Sequence, residues 1–214
     1  NGHAVAAFVD FSDNAVGDEG FSLFLRTFYK MGIGIEVLKF HKNRLGQAAA
    51  AALAQWIKAS PTALWEVHLS HNFVPVDGFL LVFETLGSRT DYPAERRDTQ
   101  RKAPLWLRVE YNLVENPTVL LETARKFLRR SRWHGNAQLS DAQLVCPVWT
   151  WETGGCKSDT CRRAEVDGVC PVVHVTYPTR QANLGDAGPP PEACLWRSGL
   201  PAEDEVRRWA IDGE

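Results

Sequence analysis

An asparagine recurs at the same place in four similar segments of this 214-residue chain. The spacings are 29, 29 and 40 residues, and the four positions are Asn14, Asn43, Asn72 and Asn112. Each segment is eleven residues long, with asparagine at position 9 and apolar or small residues at positions 1, 4, 6 and 11. A register that is kept four times predicts a stack of repeated units rather than four unrelated elements.

Each unit combines a strand pattern with a helix pattern. Positions 4 and 6 alternate with polar residues, as in a half-buried strand, which predicts strands over residues 7–11, 37–40, 66–69 and 106–109. Apolar residues at helical spacing follow over 18–28, 47–57, 76–86 and 117–128. We therefore expect an α/β fold in which four parallel strands share one curved sheet and the helices lie outside it.

This arrangement resembles the leucine-rich repeat family, specifically its long ribonuclease-inhibitor-like subtype, whose units fall at the upper end of the ~20–29-residue range. The resemblance implies a short solenoid in which each asparagine amide binds backbone groups where the chain leaves the strand. Such a stack normally needs a terminal cap, yet residues 1–3 run almost directly into the first strand. The chain is interpreted as a fragment, or as one whose preceding repeats or partner are missing; a start left by a removed targeting peptide is the alternative.

Three parts are predicted along the chain. Residues 1–134 hold the four units, with a polar insertion at 87–103 that delays the fourth. Residues 135–180 form a small cysteine-rich module, and 181–214 form a proline-rich linker and a tail with a short helix over 202–211. The net charge of −2 argues against a general polyanion binder. No apolar run approaches the ~20 residues of a membrane span and no secretory signal opens the sequence, so an intracellular location is favoured.

The inner surface of the stack is the candidate partner-binding site. In leucine-rich repeat proteins, which this arrangement resembles, strand positions 3, 5, 7 and 8 project toward this surface or its rim. Basic and aromatic residues occupy many of these positions, namely Lys39, His41, Lys42, His68, His71, Trp106, Arg108 and Tyr111. Aromatic residues and arginine are enriched at interface hot spots, which favours a protein partner with an acidic or mixed surface, anchored on Trp106 and Arg108. An inner face without a ligand and binding of single-stranded nucleic acid are the alternatives.

All five cysteines lie after residue 145, and they are Cys146, Cys156, Cys161, Cys170 and Cys194. Residues 151–165 resemble the core of a CCCH zinc finger, although Glu165 stands where that family has histidine. A C-x3-H pair occurs instead at Cys170 and His174, so the predicted zinc ligands are Cys156, Cys161, Cys170 and His174, with Cys146 as an alternative ligand. Disulfides or ordinary core cysteines are the competing interpretations.

No catalytic motif is found in the sequence. A serine-nucleophile elbow, a phosphate-binding loop, a zinc-protease motif and a deaminase signature are all missing. The sequence therefore predicts a non-catalytic protein-interaction or scaffold module, including an accessory subunit of a larger assembly, with no small-molecule substrate. The alternative function is RNA binding through the zinc-finger-like segment and the basic helix end at 125–132.

Overall fold

The computed structural model describes residues 4–95, 100, 102–131, 141–148 and 171–178. The elements, in chain order, are β1 (Ala4–Asp10), α1 (Asp18–Lys30), β2 (Ile33–Lys39), α2 (Gln47–Ala59), β3 (Glu66–His68), α3 (Val76–Ser88), β4 (Ala94–Glu95), β5 (Lys102–Ala103), β6 (Leu105–Arg108), α4 (Pro117–Ser131), α5 (Asp141–Leu144), β7 (Val145–Val148) and β8 (Val173–Thr176). The four predicted helices begin at the predicted residues and run slightly further than predicted. The four predicted strands are also present.

Six strands form one sheet in the order β1-β2-β3-β6-β8-β7, and every neighbouring pair is parallel. The register aligns equal positions of the repeated units. At position 4, for example, Leu38 pairs with Val67, and Val67 pairs with Leu107. The predicted α/β class is therefore confirmed, and so is the parallel arrangement of the four repeated strands.

The core lies between the sheet and the four long helices. Position 4 of every unit is buried there, and the helices contribute large apolar side chains such as Phe21, Leu53, Phe83 and Leu120. Burying one such side chain stabilises the fold by about 1.5–3 kcal/mol. Each long helix packs on its neighbour in sequence, α1 on α2, α2 on α3, and α3 on α4. The opposite face of the sheet is thereby left to the side chains at positions 3 and 5.

Three of the four asparagines tie consecutive units together. The Asn72 amide donates to the carbonyl oxygens of Phe40 at 2.9 Å and Leu69 at 3.1 Å, and its oxygen accepts a hydrogen bond from the Leu45 amide at 3.0 Å. Asn43 and Asn112 make the corresponding bonds in their own units. The predicted role of the asparagine amide is confirmed at these three positions.

The turn before each asparagine has the same backbone conformation. Position 8 lies in the left-handed region in all four units, with φ of 58° at Asp13, 54° at Lys42, 56° at His71 and 58° at Tyr111. Residues other than glycine seldom adopt this conformation, and they hold it only where the surroundings impose it. Its recurrence shows that the four segments are structural copies of one another as well as copies in sequence.

The insertion at 87–103 contains a two-stranded antiparallel ribbon of β4 and β5. Among the described residues of the insertion, Tyr92 and Arg89 attach it to the body of the protein by hydrogen bonds. The hydroxyl of the buried Tyr92 accepts a hydrogen bond from the Leu64 amide at 2.9 Å. The Arg89 guanidinium donates to the carbonyl oxygens of Ile57 and Ser60 at the end of α2, and Arg89 also pairs with Asp91.

The last two strands continue the same sheet. β8 lies beside β6 and β7 lies beside β8, although both strands come from the part of the chain that the sequence assigned to a separate cysteine-rich module. Three of the predicted metal ligands, Cys156, Cys161 and Cys170, lie outside the described residues. The predicted helix at 202–211 lies outside them as well. Within the described ranges, every helix is too short or too polar to cross a membrane.

Candidate binding face

The sheet face opposite the helices, which we call the front face, carries positions 3 and 5 of each unit. In-register pairing sets these side chains in two rows across the strands. The first row contains Phe8, Val37, Glu66, Trp106, His174 and Cys146. The second row contains Asp10, Lys39, His68 and Arg108.

Exposure falls steeply along the first row. Phe8 on β1 is 58% exposed, Trp106 on β6 is half-buried, and His174 on β8 is only 6% exposed. Cys146 on β7 is buried as well. Among the described residues, the front face is therefore most exposed at β1 and buried at β8 and β7. We call the part from β1 to β6 the open part of the front face, although the His68 ring within it is buried.

One charged cluster lies in the middle of the front face. The Lys39 ammonium is 3.2 Å from Oε1 of Glu66, and Nε2 of His68 is 2.7 Å from the same oxygen, outside good hydrogen-bond geometry. The His68 ring and the Lys39 ammonium outweigh burial and lower the pKa of Glu66 to about 2. Lys39 also lies over the Phe8 ring, 4.8 Å from its centre. The cluster therefore keeps Glu66 ionised across the physiological range.

A second cluster joins the end of β6 to β8. The Arg108 Nε donates to Oε1 of Glu110 at 2.8 Å, and the Thr176 hydroxyl donates to the other carboxylate oxygen. The Val109 amide in turn donates to the Thr176 hydroxyl oxygen at 2.9 Å. Burial alone would raise the pKa of Glu110, but the hydrogen bonds from Thr176 and Arg108 outweigh burial and lower it. The carboxylate fixes the Arg108 guanidinium in one orientation on the front face.

Histidines and a tyrosine line the rim where the strands end. The rings of His71 and Tyr111 are 4.3 Å apart, and those of His41 and His68 are 6.2 Å apart. Burial lowers the pKa values of His41 and His71 below 6.5. Both rings are therefore mainly neutral near pH 7. Lys42, on the same rim, is exposed and carries its charge into solvent.

Two of the five candidate zinc ligands lie within the described residues. Cys146 and His174 are register partners on neighbouring parallel strands, so their side chains point to the same face. This is the placement that two ligands of one ion need. The described part of the chain brings no third histidine, cysteine or carboxylate to them in a group that could hold a metal. Any further ligands would have to come from residues outside that part.

The structure brings most of the predicted partner-binding residues together, but it also adds acidic residues that the prediction left out. Glu66 gathers Lys39 and His68, and Glu110 holds Arg108. The sequence spacing already indicated that each of these two glutamates lies beside a basic residue. Two residues separated by one position in a strand share a face, and this spacing joins Glu66 to His68 and Arg108 to Glu110.

No protein-family model matches the chain, and no curated protein is significantly similar to it.

Proposed function

We propose that this chain is a non-catalytic protein-interaction module that binds its partner on the open part of the front face. The observation that carries the proposal is the composition of that surface between β1 and β6. Its ion pairs are formed within the face, and aromatic rings flank them on both sides. Aromatic residues and arginine are enriched at protein-binding surfaces, where polar groups commonly surround them.

The exposed aromatic rings supply the apolar contact area of the proposed interface. Phe8 is the most exposed of them, and Tyr111 lies at the other end of the rim, with its ring tilted by 34° against that of His71. A partner that covers these rings removes apolar surface from water, which stabilises the complex by about 25 cal/mol for each Å². Because the rings are attached to a sheet and its adjoining turns, little conformational freedom is lost on binding.

Arg108 supplies a preorganised polar anchor beside Trp106. A guanidinium has five N–H donors in a fixed geometry. The bonds to Glu110 involve only Nε and Nη2 of Arg108 and leave other donors for a partner. An acidic side chain of the partner would pair with these donors at a smaller entropic cost than with a mobile arginine. Trp106, half-buried next to Arg108, has its ring 5.6 Å from that of His174.

The charge pattern supports a partner of mixed charge more than a polyanion. Glu66 and Glu110 lie at the centre of the basic residues and compensate Lys39 and Arg108, while Asp10 and Asp13 are exposed at the β1 end. A phosphate backbone laid across the face would meet these four carboxylates. A protein surface can instead present positive and negative groups in the complementary order.

The same electrostatics argue against acid–base catalysis on this face. A general base works best when its pKa lies near the working pH. Glu66 is far below that range at about 2, and Glu110 is lowered as well. Both carboxylates serve as acceptors for neighbouring cations, which supports a binding role.

We also propose that the four units form a leucine-rich repeat solenoid. The parallel register, the recurring left-handed turn and the bonding of Asn43, Asn72 and Asn112 support this assignment. A structural zinc ion remains part of the proposal, with Cys146 and His174 as two of its ligands. Zinc bound there would link β7 to β8 and anchor the cysteine-rich segment to the sheet.

Site-specific cross-linking tests the proposed surface. A photoreactive amino acid is placed at Lys42 on the rim, and in a matched variant at Glu84, which is exposed on α3. We expect the partner to cross-link from position 42 and not from position 84. Cross-linking from position 84 alone would place the contact on the helices. Cross-linking to RNA from position 42, weakening steeply with salt, would favour nucleic-acid binding instead.

A further inference from the structure

The four carboxylates of the front face and its rim differ in how far a partner can reach them. Glu110 is buried and is bound by two neighbouring side chains. Asp10 and Asp13 are exposed, but they belong to β1 and the turn after it. Glu66 lies on β3, and its side chain is 32% exposed. Among the described residues of the central strands, Glu66 is therefore the front-face carboxylate that a bound partner would meet.

Glu66 places one negative charge in the middle of the front face. Its neighbours in the same row are Val37 on β2 and Trp106 on β6. Its Oε1 lies 3.2 Å from the Lys39 ammonium and 2.7 Å from the His68 ring nitrogen. Among the described residues, nothing contacts the other oxygen, Oε2, as a hydrogen-bond or ion-pair partner. Glu66 can therefore receive one more donor from outside.

The other side chains of the central front face are those of a surface that binds single-stranded nucleic acid. Lys39, His68 and Arg108 form one row across β2, β3 and β6, and Trp106 lies beside this row. Lys42 is exposed on the rim. Surfaces that bind single strands combine basic residues along the phosphate backbone with aromatic rings on which bases stack. The exposed carboxylate of Glu66 is the feature that does not fit this composition.

A phosphate that paired with Lys39 would lie close to Glu66. The Lys39 ammonium is 3.2 Å from Oε1 of Glu66, and a phosphate oxygen would bind the ammonium at about 2.7–3.2 Å. The two anions would then lie within about 6 Å of each other, where like charges repel. A protein partner does not meet this repulsion, because one of its basic side chains can pair with Oε2 of Glu66.

We propose that Glu66 is the specificity-determining residue of the front face: its carboxylate keeps single-stranded nucleic acid off a surface that can still accept a protein. The inference rests on the proposed function, since it concerns the same face, and it names the residue that selects the class of partner. Removing the charge at position 66 releases Lys39 for phosphate. The front face then gains an affinity for nucleic acid that the parent lacks.

The test replaces Glu66 by glutamine, which removes the charge and keeps the size of the side chain. Binding of a fluorescently labelled oligouridine of about 12 nucleotides is measured by anisotropy at about 50 mM and about 200 mM salt. At the lower salt concentration, we expect Glu66→Gln to bind about tenfold more tightly than the parent, or tighter still. The gain should shrink at the higher concentration, because each added phosphate contact steepens the salt dependence of single-strand binding by about 0.7 in logarithmic slope.

Two further variants show whether the gain arises where the inference places it. Glu84→Gln removes the same charge from the exposed surface of α3 and should leave the affinity for oligouridine unchanged. Lys39→Ala combined with Glu66→Gln should abolish most of the gain, since Lys39 is the cation that pairs with Glu66. Circular dichroism confirms the fold of each variant before binding is measured.

Equal affinities of the parent and Glu66→Gln would overturn the inference. An equal gain in Glu84→Gln, or a gain that persists without Lys39, would overturn it as well. Failure of the proposed function has a different signature: the parent itself binds oligouridine, and Trp106→Ala with Arg108→Ala abolishes this binding. If neither the parent nor Glu66→Gln binds oligouridine, only the role assigned to Glu66 is lost, and the protein-interaction proposal stands.

Discussion

The hydroxyl of Thr176 donates a hydrogen bond to the buried carboxylate of Glu110, and this bond joins the fourth repeated unit to β8. The same hydroxyl oxygen accepts from the Val109 amide, so a single threonine replaces the backbone contact that the next strand would otherwise supply. The charge of Glu110 is offset on its other side by Arg108. The repeated units and the C-terminal strands are therefore joined by side-chain hydrogen bonds in addition to the backbone pairing of β6 with β8.

Replacing Glu110 by glutamine should destabilise the protein by about 1–3 kcal/mol, because the neutral amide cannot accept all three hydrogen bonds that the carboxylate accepts from Arg108 and Thr176. The measurement is urea unfolding at neutral pH. The matched control is Glu84→Gln on the exposed surface of α3, which should change stability little. Equal effects of the two substitutions would show that the bond between Glu110 and Thr176 contributes nothing.

The same variant should alter the response to acid. The folded-state pKa of Glu110 is lowered from 4.5. Its contribution to stability is therefore complete above about pH 4.5 and is lost as the pH falls through the lowered value. The parent should lose stability faster than Glu110→Gln as the pH is lowered from 5 toward about 3. Parallel stability curves for the two proteins would contradict this assignment.

Asn72→Ala should cost on the order of 1–3 kcal/mol, because it leaves the buried Leu45 amide without a partner and removes one of the two hydrogen bonds that the Phe40 carbonyl oxygen accepts. Chemical denaturation gives the value directly. Asn116→Ala removes an exposed helix-start bond and should cost less than Asn72→Ala. If Asn116→Ala lowers the free energy of unfolding more than Asn72→Ala does, the hydrogen bonds of Asn72 between units do not stabilise the stack.

His41 and His71 should both titrate below pH 6.5, since burial lowers their pKa values. A histidine whose pKa is lower in the folded state than in the unfolded state contributes stability at pH values above its unfolded-state pKa. This contribution is lost as the pH falls through the lowered folded-state pKa. Partner affinity is accordingly expected to stay constant above pH 7 and to change on acidification, as charge enters the rim. NMR titration of the ring protons checks the values. Midpoints above 6.5 would contradict the described burial of the two rings.

Elemental analysis of purified protein should give about one zinc ion for each chain, bound through Cys170 and His174 with two of Cys146, Cys156 and Cys161. Cys146→Ser should reduce the zinc content, because the pairing of Cys146 with His174 supports its role as a ligand. Cys194→Ser is the control and should retain zinc. Protein without zinc, or with disulfide-bonded cysteines, would contradict the zinc proposal.

Much of the fold could be predicted because the repeats report the same pattern four times. A single strand–helix pair is ambiguous, but alternation at positions 4 and 6 followed by helical spacing recurs in phase. The parallel register then follows, since equal positions must face the same core. Position 8 gave no such signal: Asp13, Lys42, His71 and Tyr111 share no side-chain property, and their common left-handed conformation is imposed by the turn.

The front face was only partly predictable. The equivalent repeat positions correctly placed Lys39, His68 and Arg108 on this face. The sequence analysis considered only the basic residues, however, and so predicted more unpaired positive charge than the structure has. Pairing depends on which residues become neighbours across strands, and that follows from the register. The contribution of β8 was also hidden, because Thr176 lies 66 residues after Glu110 and outside the repeat.

The most direct test of the account compares the partners captured by three proteins: the parent, Trp106→Ala with Arg108→Ala, and a control with Lys58→Ala and Glu84→Ala on the exposed helix surface. Each is used as bait in the same extract, and bound proteins are quantified by mass spectrometry after the fold of each bait is confirmed by circular dichroism. We expect a protein partner that binds the parent and the helix-surface control equally and is lost from the front-face variant. An identical partner list for all three baits would contradict it.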